Sequence, residues 1–100
     1  MQDLRAELAE SLDQAEWDWL APHAERESLI LVNPGLNLLD VGVAIANDNV
    51  SHVQRWIDEA LIHKPSPAQV ADWSQTLTKR FQALIVQPFV LIQEMEEVKS

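Results

Sequence analysis

The residues best suited to chemistry in this chain are three histidines, His23, His52 and His63, because cysteine is absent. Imidazole can ligate a metal or move a proton near neutral pH. His23 stands four positions before Glu27, and Asp48 four positions before His52, a spacing that puts two ligands on one side of a helix. A working metal site needs three or four ligands and groups that orient them, and these pairs are separate from one another in the sequence. A small metal-dependent enzyme built on His23, Glu27, Asp48, His52 and His63 is therefore the alternative reading, and no cofactor is expected. None of Ser11, Ser28, Ser51, Ser66 and Ser74 lies in a Gly-x-Ser-x-Gly elbow. Gly35 and Gly42 are the only glycines, which excludes the glycine-rich fingerprints of dinucleotide and phosphate-binding loops.

Charge narrows the partners. The formal net charge is -9, and the 7 basic residues are scattered, with only Lys79 and Arg80 adjacent. Nucleic acid and anionic membranes call for clustered Lys and Arg, so neither is an expected partner. Met1 to Glu10 carries three acids and no apolar run, which does not fit a signal peptide, and no stretch reaches transmembrane length. Without cysteine there is no disulfide framework, and the expected location is the cytoplasm.

The elements that must position these residues are legible in outline. With 100 residues and 47% hydrophobic content, the chain is read as a single domain over 1–100, with 95–100 a frayed or disordered tail. Leu4, Leu8 and Leu12 repeat every four residues, so Asp3 to Ala15 is expected as an amphipathic helix capped by Asp3. Pro22 suits the first turn of a short helix through Glu27. Leu29 to Val32 is a buried strand closed by Asn33-Pro34-Gly35. Leu36 to Ala46 alternates as a strand would, but Asn37 followed by Asp40 resembles a capping pair and favours a helix. Val50, Val53, Ile57 and Ala60 recur at helical spacing after Asn47-Asp48-Asn49, whose Asp48 or Asn49 can cap that helix. Leu61 to Pro65 is a connector or short strand, and Ser66-Pro67-Ala68-Gln69 is a complete helix-start signal.

Phe81 to Gln93 is almost wholly apolar and rich in Ile, Val and Phe, which favours strand. Pro88 in its middle implies an edge, a bulge or a break between two strands. Paired with Leu29 to Val32, this segment would centre a small sheet packed by three to five helices, an α+β fold. Gln87 and Gln93 would need partners if buried.

Glu16-Trp17-Asp18-Trp19-Leu20, Val41-Gly42-Val43-Ala44-Ile45-Ala46, Val53-Gln54-Arg55-Trp56-Ile57 and the run from Arg80 to Val90 together resemble domain-of-unknown-function family 2288, a small prokaryotic family. The resemblance covers nearly the whole chain. It implies a stand-alone bacterial protein of about this length and transfers no catalytic or binding residue.

Trp56 and Trp73 fall at helical spacing from other apolar residues and are expected in the core. Trp17 and Trp19 are two apart and face different sides of a helix, so one of them is expected at an interface. An apolar strand near a sheet edge is a template for another chain, which adds Phe89 and Leu91 to the interface set. The leading functional expectation is a non-enzymatic protein-interaction or regulatory module that binds itself, as a homo-oligomer, or another protein.

Overall fold

The computed structural model describes residues 3–94, so the tail expected at 95–100 lies outside the described residues. In chain order the elements are α1 (Leu4–Ser11), β1 (Asp13–Glu16), α2 (Trp17–Glu25), β2 (Leu29–Val32), α3 (Leu38–Ala46), α4 (Val50–Asp58), β3 (Ile62–His63), α5 (Pro67–Trp73), β4 (Arg80–Val86) and β5 (Phe89–Glu94). The fold is α+β. Its mixed sheet has the order β1-β4-β5-β2-β3. β5 runs parallel to β2, with Leu29 opposite Val90, and the other neighbours pair antiparallel.

Strand alternation distributes side chains to the two faces. Phe81 and Ala83 of β4, Val90 and Ile92 of β5, and Leu29 and Leu31 of β2 meet Trp17 and Leu20 of α2 and Trp73 of α5. The intervening residues Leu84, Val86, Leu91 and Val32 meet Leu38 and Val41 of α3, with Leu8 of α1 and Val53 and Trp56 of α4 packed alongside. Helices thus cover both faces, which explains why β4 and β5 read as continuous apolar runs.

Two local expectations are corrected, and the alternatives for Pro88 resolve to a break between two strands. The first helix ends at Ser11, and Leu12 is extended (φ -72, ψ 121). Asp13 to Glu16 then pair with Ala83 to Arg80 as an edge strand, which lets Leu12 and Ala15 pack on opposite cores. The second helix begins at Trp17, so Pro22 lies inside it. Burying Trp17 and Leu20, three apart on one helical face, outweighs the backbone hydrogen bond that proline cannot donate. Finally, Phe81 to Gln93 is a hairpin, with Gln87 and Pro88 at its turn and outside both ladders. β5 lies between β4 and β2, so it is not an edge strand, while β1 covers only Arg80 to Ala83 of β4 and leaves Leu84 to Val86 without a strand on that side. The sheet edges are β1 and β3.

Other signals act as read. Asn37 accepts from the Leu39 and Asp40 backbone N–H groups, so Leu38–Ala46 is helical. Ser66 and Gln69 form a reciprocal capping box. Gly42 brings α3 directly onto β4, where a Cβ would overlap Leu84 Cδ2. Gln93, the buried polar side chain, donates from Nε2 to the carbonyls of Asn33 (3.0 Å) and Leu36 (2.6 Å). These bonds tie the loop before α3 to the central strand.

Candidate functional site

The histidines lie on different elements. His23, in α2, sits against Trp19 with ring centroids 4.8 Å apart. The helix stops at Glu25, and Glu27 occupies a left-handed turn position (φ 59). The four-residue pairing of His23 with Glu27 therefore has no helix to present it, and Glu27 lies 3.9 Å from Lys64 instead. The second pair fails for the same reason. Asp48 is in the left-handed turn after α3 (φ 55), while Asn49 caps α4 by accepting from the His52 backbone N–H. Asn49 Nδ2 also lies 2.6 Å from His52 Nδ1, and the His52 ring stacks near Trp56. His63 is on β3 with Nδ1 2.8 Å from the Lys64 carbonyl. Among the described residues no three His, Cys, Asp or Glu side chains come together as a metal-binding group.

The residues expected at an interface also separate. Trp17 is fully buried, its ring 5.1 Å from that of Trp73 and its indole N–H directed to Ser74 Oγ at 3.2 Å. Leu91 is fully buried in the central strand. Neither reaches the surface of the chain, because helices cover the sheet on the sides they face. Trp19 is 50% exposed at the other end of the sheet, and Phe89 is partly buried at the start of β5.

Phe89 leads to the more distinctive surface. With Ile30, Ile45, Ile62, Val53 and Ile57 it lines an apolar groove of 660 Å³ between α4 and the β3 edge. α4 is strongly amphipathic, yet none of its residues is fully buried. Val50, Val53 and Ile57 fall at i, i+3 and i+7 on one stripe, and Val50 is 71% and Ile57 50% exposed. An apolar helical stripe ordinarily faces a core. Here only Val53, with neighbouring Trp56, packs against one. The periodicity of α4 was visible in the sequence; its partial coverage depends on where β3 ends the sheet.

Fold and site define a small mixed-sheet domain with an open apolar helix face and no metal-binding cluster among its described residues. The chain belongs to the family described as "Protein of unknown function (DUF2288)", which it matches over residues 3–94. Its fold is similar to the solution NMR structure of PA1075 from Pseudomonas aeruginosa, with a TM-score of 0.81 and 28% identity, covering 97% of this chain and 89% of that one. No curated protein matches it. Among the described residues no helix is long and apolar enough to cross a membrane.

Proposed function

We propose that this chain is a non-enzymatic protein-interaction module of the bacterial cytoplasm that self-associates through the open face of α4. The observation that carries this reading is the exposure of Val50 and Ile57 on a stripe continuous with the groove to Phe89. Contiguous exposed apolar surface favours association, because joining two such faces removes it from water. A second copy suits the rim, where both signs of charge occur: Asp48 and Lys64 line the groove. A twofold axis can then oppose unlike charges while the stripes meet. The net charge of -9 argues for a protein partner over nucleic acid or membrane.

Sedimentation equilibrium across a wide concentration range tests this reading. The wild type should dimerise or form a higher oligomer, and Val50→Asp or Ile57→Asp should shift it to monomer with circular dichroism unchanged. Because both residues are exposed within one chain, neither substitution disturbs its core. A wild type that stays monomeric at high concentration would overturn the proposal.

A further inference from the structure

The opposite sheet edge carries a second surface with different chemistry. β1 pairs only with β4, so its other side is open among the described residues. The Trp17 N–H donates to the Lys79 carbonyl (2.8 Å), in phase with the Ala15–Phe81 and Asp13–Ala83 pairs. In an antiparallel ladder, alternate residues direct their backbone groups to the neighbour. Asp13 and Ala15 therefore bond inward, and the N–H and C=O of Gln14 and the N–H of Glu16 point away from the sheet, while the Glu16 carbonyl, at the N-cap of α2, takes the first helical bond. The Gln14 N–H is shielded by Asp13 Oδ1 at 2.7 Å, a contact that an incoming carbonyl can replace.

Beside this edge is a groove of 830 Å³ whose wall includes Trp19 and Ile85, 50% and 42% exposed. Its charged lining is Asp13, Glu16 and Asp18 against Arg80 alone, within a chain of net charge -9. We propose that β1 is a docking edge for an extended segment of another protein in which basic residues alternate with apolar ones. Its main chain would add a strand beside Gln14 and Glu16, an apolar side chain would enter the groove at Trp19, and its basic residues, on the alternate face, would meet Glu16. Charge complementarity selects this occupant over a second copy, since antiparallel pairing of two β1 strands about their centre sets Asp13 against Glu16 of the other. The far edge is less suitable: β3 has two residues, and Pro65 follows shortly after.

The test is titration of isotopically labelled full-length protein with a blocked Lys-Val-Lys-Val-Lys-Val peptide, followed by amide NMR. Shifts should concentrate at the Gln14 and Glu16 amides and the Trp19 indole, and binding should weaken with salt. An otherwise identical Glu-Val peptide, or a Lys-Val peptide N-methylated at alternate positions, should not bind there. Glu16→Lys should weaken binding by about tenfold. The Glu16 side chain makes no capping hydrogen bond, so the fold should persist. Equal binding of the N-methylated peptide, shifts confined to α4, or dilution-dependent shifts at Gln14 and Glu16 in the protein alone would each overturn the proposal. The last result would assign the edge to a second copy.

Discussion

Gly42→Ala sets two known effects against each other. In an ordinary helix interior, replacing glycine by alanine stabilises by about 1 kcal/mol, since the unfolded chain loses freedom and the helix gains propensity. Gly42 is buried in α3, where the new methyl would overlap Leu84 Cδ2 and approach Val86 Cγ2 to 3.4 Å. Leu84 is fully buried on an internal strand and has little room to retreat. Overpacking of a dense core costs about 1–3 kcal/mol. The difference is a net destabilisation of about 1 kcal/mol, or a fall in Tm of about 4–8 °C for a domain of this size. Urea unfolding followed by tryptophan fluorescence measures it. The sharper test repeats the change in a Leu84→Ala background, where the methyl enters space already opened. There Gly42→Ala should stabilise by about 1 kcal/mol, so the sign reverses and the two sites couple by about 2 kcal/mol. A stabilised single mutant, or the same change in both backgrounds, would refute the close-packing argument.

Two further substitutions probe backbone features. Gln93→Leu keeps approximate volume but removes both donors from the Asn33 and Leu36 carbonyls, and should destabilise by about 1–3 kcal/mol in urea unfolding. Ala60 closes α4 at φ 59, a conformation unfavourable for a residue with a Cβ. Ala60→Gly should raise stability by up to about 1 kcal/mol, read as an increase in Tm, and a decrease would mean that unfolded-chain entropy outweighs the relieved strain.

Local chemistry made much of the fold legible. Proline after an N-cap serine located α5, and the Asn37 cap decided α3 where alternation alone was ambiguous. The errors arose where a distant partner decided a segment's conformation. Asp13 to Glu16 has no strong strand signal and becomes a strand because β4 offers an edge. Pro22 looks like a helix start, yet the helix begins five residues earlier because Trp17 and Leu20 must be buried together. Both histidine–carboxylate pairs fit a helix in spacing, but one loses its carboxylate past the end of α2 and the other before the start of α4.

By itself the sequence determined the α+β class, the apolar pairing of β2 with the C-terminal segment, the acidic charge and the absence of thiol chemistry. These depend on composition and on periodicities within a few residues. Only the tertiary structure decided which apolar surfaces remain open. Trp17 and Leu91 are as hydrophobic as Trp19 and Ile57, and nothing local separates them. The first two are buried because the helices and neighbouring strands reach them, and the second two are half-exposed because the sheet ends at β1 and β3. Exposure depends on contacts between segments far apart in the chain.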